Sequence, residues 1–571
     1  MRVYEAIVKG LESVEVDAAF GGAGENAAGM MVALEDSKKI RGIITRHEQA
    51  ASFMACGYAM FTDKLGVCWA TAGPGAFNLF SGLAMAMSDS YPVLAISGYA
   101  ALEWEGRGSL NETSGKGRTP DSRKMFEACT KGSWLLIDVH DTCDLLEQAV
   151  NLAFEGRPGP VHIAVPETLT HPEHKVTNYH DVRLAVAKVE PDPAKVEEIA
   201  TTLAEAIEQR QKVVALVGFG AIRSGAYDEV RAFIERFQVP LLTTLDGKGI
   251  VPESHPLAIG LFADSGHSSA WKAFREADVV LAIGNALNQH ATFNYRADLF
   301  DGKKLIQVNI TEQEIGKVKP YQLHHALVSD AKPAVAAIHE ALERKVGQVR
   351  ECKLEGQDWE ARKIPHVTGK IHPGQLARQI GRMLPPQGIL LADAGAHLAW
   401  LSYYVELEAG QNFRKAGEFG PMAGHVNGAL GVKLAQPDRT VVVGCGDGCY
   451  NLSGFELMTA VEHKIPVIWV IFNDGEFKLI KVFQLAFYMD AALCDFENPD
   501  YAAYARACGA DGHTVSSLDE FEDAFKTALG TGRPTVIDAH ITRWALPHYS
   551  PSPEGVVHGI AEMLEKRIKG T

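Results

Sequence analysis

The sequence predicts an α/β protein built from three doubly wound parallel-sheet domains. Short runs of apolar and β-branched residues alternate with helical patterns along the chain, which is typical of parallel sheets covered by helices. A length of 571 residues suits three or four domains. With 46% hydrophobic and 22% charged residues, the chain has enough apolar material for several buried cores. We place three units at residues 1–175, 190–345 and 366–571.

The first two units each contain a series of short buried strands. In the first unit we predict strands at residues 18–20, 42–45, 66–70, 93–97 and 161–165. In the second unit, the predicted strands indicate a Rossmann-like sheet and lie at residues 213–217, 241–244, 279–283 and 305–310. A charged stretch at residues 344–365 has little apolar periodicity and closes the second unit as a linker.

The third unit contains a β-α-β pattern between residues 441 and 478. A helical pattern separates two buried apolar runs. Glycines and oxygen-bearing side chains follow both runs: Gly446, Asp447 and Gly448 after the first, and Asn473 and Asp474 after the second. In a right-handed parallel crossover these two loops lie at the same edge of the sheet, where open α/β sheets bind ligands.

Asp447 and Asp474 are 27 residues apart. A crossover of that length lets both carboxylates converge on one hard cation, with the small glycines leaving room for a phosphate. Magnesium that bridges a diphosphate is the natural occupant. In the competing interpretation these residues only cap helices and turns. A nucleotide P-loop is disfavoured because no G-x-x-x-x-G-K-[ST] run occurs.

Charge and cysteine content limit the expected partners and compartment. A net charge of −16 argues against a general nucleic-acid binder, because the chain has no excess of Lys and Arg. No apolar run reaches membrane-spanning length, and the acidic amphipathic start differs from a signal peptide. Nine cysteines without a C-x-x-C motif fit a reducing cytoplasm. We therefore expect a cytoplasmic protein that acts on small molecules and binds neither nucleic acid nor membrane.

The β-α-β stretch resembles the diphosphate-binding motif of thiamine diphosphate (ThDP) enzymes, in which GDG is followed some two dozen residues later by NN. The resemblance implies that Asp447, the side chain of Asp474 and the backbone carbonyl of Glu476 hold Mg²⁺. It also implies cofactor contacts from three neighbours: Gly446, Gly448 and Asn473. Asp474 departs from the motif, where Asn is usual, and adds one negative charge to the expected site.

Three stretches of the first unit resemble the pyrimidine-binding domain of the acetolactate synthase and pyruvate oxidase branch: FGGAGEN, TAGPGAFNLFSGL and GRPGPVHIAVP. In that branch the Glu after the second strand is the catalytic carboxylate, and Glu48 is its match. Such a carboxyl group hydrogen-bonds N1′ of the aminopyrimidine and favours the imino tautomer, whose N4′ is the base beside C2. The resemblance also implies that Gly24, Pro74 and Asn78 bind the cofactor. Without it, Glu48 is an ordinary first-turn residue favoured by the helix dipole.

The start of the third unit resembles the beginning of the diphosphate-binding domain. That match implies that Gly420 offers its backbone carbonyl to N4′ and that Met422 forces the cofactor into its V shape. Without the framing glycines, Met422 would be interpreted as ordinary core packing. His425 and Asn427 stand where relatives usually carry Gly and Pro, so they either line the pocket or are buried, hydrogen-bonded polar residues.

The second unit resembles the central domain of acetolactate synthases, which carries FAD in some members, ADP in others and nothing in many. The stretches that carry this resemblance are LLTTLDGKGIVPESHPLAIG, EADVVLAIG and LIQVNITEQEIGK. In the segment GNALNQHATF, His290 stands near the place of the family's Arg, which argues against FAD. We therefore predict a structural domain without bound flavin.

The resemblance is specific for the cofactor but not for the reaction. Substrate choice in this branch depends on the loop after the fourth strand, in which Arg118 and Arg123 either bind a substrate carboxylate or remain surface arginines. After the metal ligands, a helical apolar face places Ile480 over the thiazolium as a substrate contact, and His425 is a further candidate. We expect part of this face to join the core; its other members are Phe477, Leu479, Phe483 and Phe487.

The predicted function is that of an acetolactate-synthase-like enzyme that depends on ThDP and Mg²⁺. It would decarboxylate a 2-oxo acid and pass the acyl carbanion to an acceptor carbonyl. The alternatives are a 2-oxo-acid decarboxylase or 2-hydroxyacyl lyase without ligation, and a catalytically silent homologue. In the resembling family the domains that carry Glu48 and the metal ligands meet across a two-fold subunit interface, which implies a homodimer or homotetramer.

Overall fold

Three six-stranded parallel sheets form the protein in the computed structural model, which describes residues 1–263, 266–352, 364 and 370–546. Helices flank each sheet. This architecture confirms the predicted α/β class with three parallel sheets. The predicted linker at 344–365 lies largely outside the described residues, as do the two ends of the predicted third unit.

The sheet of the first unit has the strand order β2-β1-β3-β4-β6-β5. Its strands are β1 (Ala18–Gly21), β2 (Arg41–Ile44), β3 (Gly66–Ala70), β4 (Val93–Tyr99), β5 (Ser133–Leu135) and β6 (Val161–Pro166). Its helices are α1 (Val3–Ser13), α2 (Ala28–Asp36), α3 (Glu48–Met60), α4 (Pro74–Asn78), α5 (Phe80–Asp89), α6 (Ser122–Cys129), α7 (Thr142–Phe154) and α8 (Glu167–Thr170). All five predicted strands occur within about two residues of their predicted bounds, and β5 was not predicted.

The sheet of the second unit has the order β12-β11-β10-β7-β8-β9. Its strands are β7 (Val213–Val217), β8 (Leu241–Thr243), β9 (Ala258–Leu261), β10 (Val279–Ile283), β11 (Lys304–Asn309) and β12 (Leu323–Val328). Its helices are α9 (Pro193–Glu208), α10 (Phe219–Arg223), α11 (Tyr227–Phe237), α12 (Ser268–Glu276) and α13 (Ala331–Glu343). The four predicted strands are present, and two further strands, β9 and β12, form the edges.

The sheet of the third unit has the order β14-β13-β15-β16-β18-β17. Its strands are β13 (Ile389–Ala392), β14 (Asn412–Lys415), β15 (Val441–Gly446), β16 (Ile468–Asn473), β17 (Asp511–Val515) and β18 (Thr535–His540). Its helices are α14 (Pro373–Met383), α15 (Ala396–Tyr404), α16 (Gly424–Ala435), α17 (Asp447–Ser453), α18 (Glu456–Glu462), α19 (Lys478–Tyr488), α20 (Tyr501–Ala507) and α21 (Leu518–Thr531). The first and third sheets therefore share one topology, in which the order reverses beside the first strand.

The helical segment between β15 and β16 differs from the prediction of one helix. It consists of α17 and α18, because the chain turns at Gly454. The ring of Tyr450 lies 2.7 Å from the place where a Cβ of Gly454 would stand, so a side chain would not fit there. The break matters for the site, because it places Glu456 at the start of α18.

The first and third units pack against each other through α3 and α16. Glycines allow the two helices to approach closely: a Cβ on Gly431 would lie 1.9 Å from the carbonyl oxygen of Met54, and a Cβ on Gly57 would lie 2.1 Å from that of Gly428. One apolar core consequently continues from the first sheet into the third. Among the described residues, no helix is both long and apolar enough to cross a membrane.

Candidate active site

A cavity of about 260 Å³ lies at the carboxyl edge of the third sheet, at the point where the strand order reverses. The segments that follow β13, β15 and β16 line it, which is the position expected for a ligand in an open α/β sheet. Within the described part of the chain, every lining residue belongs to the third unit and lies between Pro373 and Ala545. The first unit contributes nothing to this cavity in the single chain.

Asp447 joins the two loops that the sequence predicted to meet. Its side chain is buried, and Oδ2 accepts hydrogen bonds from the backbone N–H groups of Gly475 (2.7 Å) and Asp474 (3.1 Å). Oδ1 accepts one from the N–H of Gly448 (2.8 Å). Burial raises the pKa of Asp447, and the hydrogen bonds from Gly475 and Asn498 oppose that shift. The carboxylate is therefore fixed in position before any ligand binds.

Asp474 and Glu476 are also buried, and two lysines accompany them. Nζ of Lys478 lies 3.5 Å from Oδ2 of Asp474 and contacts the carboxylate of Glu476, which also accepts a hydrogen bond from Lys481 (2.6 Å). Burial raises the pKa of Asp474 to about 6, and the positive charge of Lys478 opposes this shift. Two carboxylates, Asp447 and Asp474, thus adjoin the cavity in a low-dielectric setting that favours a cation.

No group of three or more His, Cys, Asp or Glu side chains that could hold a metal ion was found in the described ranges. The predicted ligand set does not require three such side chains, because it combines two carboxylates with the backbone carbonyl of Glu476.

Asn498 supports this arrangement and was missed by sequence analysis. Its Nδ2 donates to Oδ2 of Asp447 (2.8 Å) and to Oδ1 of Asn473 (2.9 Å). Nδ2 of Asn473 in turn donates to Asp538 (2.8 Å), and the hydroxyl of Tyr501 contacts Oδ1 of Asn498 (2.8 Å). The predicted Asn473 therefore acts through a network that orients Asp447.

Arg543 holds the second loop from outside the cavity and was also missed. Its guanidinium donates to the backbone carbonyls of Asp474 and Gly475. Gly475 has φ = 68°, so the backbone at this turn favours glycine. The Asp474 turn is consequently fixed on both sides.

Four further cofactor candidates of the third unit line the same cavity: Gly420, Met422, Gly446 and Gly448. The substrate candidate Ile480 lines it as well. A Cβ on Gly448 would lie 2.7 Å from the ring of Phe477, so only glycine leaves this part of the cavity open. Ile480 is 51% exposed at the start of α19. His397, which sequence analysis did not single out, also lines the cavity, and burial lowers its pKa to about 4.

Glu48 begins α3, in a cradle formed by the first unit. Its Oε2 accepts a hydrogen bond from Nδ2 of Asn78 (2.9 Å). A Cβ on Gly22 would lie 2.7 Å from Cγ of Glu48, and one on Gly75 would lie 3.1 Å from Oε1. The glycines thus make room for this carboxyl group. Gly24 packs against Thr71 in the same loop region.

The chain is similar to known proteins over nearly its whole length. Three family models match: the N-terminal TPP binding domain of thiamine pyrophosphate enzymes at residues 1–117, their central domain at 200–338 and their C-terminal TPP binding domain at 393–539. The acetolactate synthase large subunit of Corynebacterium glutamicum is 30% identical over 94% of this chain and 86% of its own length. The probable acetolactate synthase large subunit of Methanocaldococcus jannaschii is 30% identical over 96% and 94%. Acetolactate synthase isozyme 2 large subunit of Escherichia coli is 28% identical, with 98% of each chain covered.

The chain belongs to the thiamine pyrophosphate enzymes. The predicted family and the predicted cofactor, ThDP, are thereby confirmed. The structure fits that cofactor, because a cavity with two buried carboxylates stands at the predicted diphosphate end and glycines form a cradle around Glu48 at the predicted pyrimidine end.

In this ThDP enzyme, a residue of the third unit holds the turn before Glu48. Oε1 of Glu456 accepts hydrogen bonds from the backbone N–H groups of Arg46 (2.9 Å) and His47 (3.0 Å). Oε2 accepts one from the hydroxyl of Thr459 (2.6 Å). Glu456 is 2% exposed, and burial raises its pKa. It was missed because no local motif marks a contact between residues that are far apart in sequence.

The predicted substrate residues lie in different settings. Arg118 and Arg123 are exposed on the segment after β4 and do not line the diphosphate cavity. Glu112 orders that segment by accepting hydrogen bonds from Ser114 and from the N–H groups of Gly106 and Gly108.

His425 is only 1% exposed and lies in α16 outside the residues that line the diphosphate cavity. Nδ2 of the neighbouring Asn427 donates to Ser453 (2.7 Å). Both ring nitrogens of His425 and Oδ1 of Asn427 are buried without a hydrogen-bond partner among the described residues. The interpretation as buried, hydrogen-bonded polar residues therefore agrees with the structure for Nδ2 of Asn427 but not for His425.

A second cavity, of about 560 Å³, lies between the three units at the carboxyl edge of the central sheet. At one end of it, the buried Lys415 pairs with Asp246 (3.3 Å) and Glu418 (3.1 Å). His290 is exposed and is not among the lining residues. The prediction of a central domain without flavin stays a prediction.

Proposed function

We propose that this ThDP enzyme requires Mg²⁺ and acts on a 2-oxo acid, which it decarboxylates and joins to an acceptor carbonyl as acetolactate synthases do. The observation that carries the proposal is the joined pair of loops at Asp447, beside a cavity of suitable position and size. Two relatives are named as acetolactate synthase large subunits, which supports decarboxylation followed by ligation. The units at 1–175, 190–345 and 366–571 then serve as pyrimidine-binding, central and diphosphate-binding domains.

Asp447, Asp474 and the backbone carbonyl of Glu476 would hold the magnesium ion. Carboxylate and carbonyl oxygens suit this hard cation, which keeps its remaining positions for phosphate oxygens and water. Asn498 and Arg543 would hold the two ligand loops in fixed positions relative to each other. Gly446 and Gly448 would allow the diphosphate to approach, because they add no side-chain bulk at the cavity wall. Asn473 would support the site through its hydrogen bonds with Asn498 and Asp538.

Glu48 would share a proton with N1′ of the aminopyrimidine, and Asn78 would orient its carboxyl group for that hydrogen bond. Bound ThDP supplies a nucleophilic carbon that stabilises an acyl carbanion. Gly24 and Pro74 would border the pyrimidine, while Gly420 and Met422 would hold its other side. Ile480 would contact the substrate above the cavity.

The selection of substrate would involve the segment after β4. We assign Arg118 and Arg123 as candidates for a substrate carboxylate, because a guanidinium binds such a group with two parallel hydrogen bonds. His425 is a weaker candidate on account of its burial. The nine cysteines are all unpaired thiols, which supports a cytoplasmic location.

The separation of the two half-sites supports a homodimer or homotetramer. Glu48 is surrounded by the first unit, whereas described residues of the third unit alone line the diphosphate cavity. Two copies related by a two-fold axis would complete both sites at once. Mixing Glu48→Gln with Asp447→Ala chains tests this: subunit exchange should restore part of the activity, whereas proven exchange without recovery would contradict the shared site.

The reaction is tested by product analysis with ThDP- and Mg²⁺-loaded protein. Pyruvate is supplied alone, with an aldehyde, and with a second 2-oxo acid. We expect a 2-hydroxy-3-oxo acid or a hydroxyketone from ligation. Release of free aldehyde only would indicate the decarboxylase alternative. If the protein binds ThDP but consumes none of a broad panel of 2-oxo and 2-hydroxyacyl substrates, it is the silent homologue.

A further inference from the structure

A third cavity, of about 660 Å³, opens between all three units on the side of α10 and α11. The first unit supplies residues 60–63 after α3, and the second unit supplies α10, α11 and residues 249–252. The third unit supplies residues around β14 and Arg439. A ligand in this cavity would therefore contact each of the three units.

Arg414 forms part of the inner wall of this cavity. It is 6% exposed, and its guanidinium carbon lies 5.3 Å from the ring centroid of Phe61 and 6.0 Å from that of Phe219. Nη1 donates to the carbonyl of Phe413 (2.7 Å), while Nε is buried and has no hydrogen-bond partner. The two rings hold the guanidinium in place, but neither supplies a counter-charge.

Two further arginines line the same cavity. Arg223 donates to the carbonyl of Ala59 (2.7 Å). Arg439 donates to the carbonyls of Gln387 (2.6 Å) and Gly410 (2.9 Å) and to Oδ1 of Asn412 (2.6 Å). Burial lowers the pKa of Arg223 and of Arg439, and the charge of Arg414 adds to both shifts. Tyr91 and Asp63 oppose the shift at Arg223, and Tyr227 opposes it at Arg439. Like charges thus face one another across a partly enclosed space.

Among the described residues, no carboxylate lies within ion-pair distance of Arg223, Arg414 or Arg439. The other two cations of the cavity are already paired, Arg231 with Glu235 (3.0 Å) and Lys332 with Glu229 (3.6 Å). The acidic residues of the lining are exposed at its rim: Asp63, Asp228 and Glu408.

Three guanidinium groups without an ion pair among the described residues thus line one cavity, although the chain has a net charge of −16. Buried cations are normally paired, because removing their charge from water is costly. An anion among them would supply the missing counter-charge and would accept the unused hydrogen bond of Arg414. A tetrahedral oxyanion suits this arrangement better than a planar carboxylate, because it can accept from three guanidinium groups that approach from different directions.

We propose that this cavity is a binding site for a phosphate group, either free phosphate or the phosphate of a small monoester. The bound phosphate would join the three units through Arg223, Arg414 and Arg439. The site is separate from the diphosphate cavity and does not depend on the proposed reaction. It adjoins the cavity at the central sheet, with which it shares Arg223 and Arg414, but Arg439 lines only the proposed site.

Equilibrium dialysis with radiolabelled inorganic phosphate tests the proposal on the full chain saturated with ThDP and Mg²⁺. Chloride keeps the ionic strength constant. We expect one phosphate per chain, and binding about tenfold weaker or more in Arg439→Gln and Arg414→Gln, because a hydrogen bond to a charged group is lost. Two matched controls should bind like the unmodified protein: Arg231→Gln, whose arginine is paired at the same cavity, and Lys317→Gln, whose lysine lines the neighbouring cavity but not the proposed site.

Competition by a sugar phosphate distinguishes the two sources of the ligand. If the ester displaces labelled phosphate at lower concentration than unlabelled phosphate does, the natural ligand is a monoester; if it does not, the ligand is free phosphate. The proposal is wrong if no saturable binding occurs. It is also wrong if Lys317→Gln weakens binding while Arg439→Gln does not, because the phosphate would then occupy the neighbouring cavity. Arg439 is partly exposed, and circular dichroism of Arg439→Gln checks that losing its bonds to Gln387, Gly410 and Asn412 leaves the fold intact.

Discussion

Glu456 provides a direct test of how the third unit positions Glu48. The replacement Glu456→Ala removes the acceptor of two backbone N–H groups in the turn that ends at Glu48. A hydrogen bond to a charged group contributes about 1.5–3 kcal/mol, so the pair would contribute about 3–6 kcal/mol if fully buried. Arg46 and His47 are themselves exposed, and water can partly replace the lost acceptor. We therefore expect the free energy of unfolding to fall by about 2–4 kcal/mol.

The same change should lower kcat, because a turn that is no longer held lets Glu48 move away from its position beside Asn78. A displacement of about 1 Å at a catalytic group can cost up to about a hundredfold in rate. We expect a loss of about tenfold to a hundredfold in kcat, with KM and the affinity for ThDP little changed. Urea unfolding and steady-state kinetics measure both effects.

Glu456→Gln is the matched control. Its amide oxygen can still accept from both N–H groups, and the Thr459 hydroxyl can accept from its NH₂ group, so most of the stability and kcat should remain. If the Ala variant turns over like the unmodified enzyme, the contact does not position Glu48. If Ala and Gln variants lose the same amount, the negative charge matters and the hydrogen-bond geometry does not.

Four further outcomes are expected. Glu48→Gln should lower turnover roughly a hundredfold or more while ThDP still binds, because the amide cannot share a proton with N1′; steady-state kinetics and dialysis measure this. Asp447→Ala should abolish Mg²⁺-dependent ThDP binding, measured by fluorescence titration. Burial raises the pKa of Asp89 to about 7, so the folded state holds this proton more tightly than the unfolded chain does. The free energy of unfolding should therefore fall as the pH rises from about 4 to about 7. Asp89→Asn should abolish that part of the fall. The purified protein should show no flavin absorbance.

A specific result would contradict each of these predictions. Near-normal activity of Glu48→Gln would remove its assignment as the catalytic carboxylate, and unchanged ThDP affinity of Asp447→Ala would make the GDG turn structural. Superimposable pH–stability curves for the unmodified protein and Asp89→Asn would mean that this carboxyl group titrates normally. A stoichiometric flavin spectrum would show that the central domain binds FAD despite His290.

The strands that sequence analysis missed in the first two units share a position. β5, β9 and β12 all lie at sheet edges, where a strand has one neighbour instead of two. β5 and most of β12 are only partly buried, so their sequences carry less of the continuous apolar signal that marks a central parallel strand. The central strands were predicted because burial on both faces requires such a run.

At the candidate site, too, residues marked by a local sequence pattern could be predicted and residues defined by long-range contacts could not. Asp447 and Asp474 could be predicted as neighbours because each follows a buried strand, and the carboxyl ends of parallel strands share one edge of a sheet. Asn498, Arg543 and Glu456 could not, because their roles arise from contacts between distant segments. No spacing rule connects Glu456 with the turn at Arg46, which lies 410 residues away.

The helix after the proposed metal ligands supports the proposal that two copies of the chain share the site. We expected its apolar face to be partly core, yet in α19 only Val482 is buried. Phe477, Phe483 and Phe487 are 40%, 45% and 70% exposed, beside a cavity that lacks any described residue of the first unit. Exposed apolar surface of this extent favours association. A second copy that brings its Glu48 cradle to the cavity would cover this face and supply the missing half of the site, so one contact would account for both features.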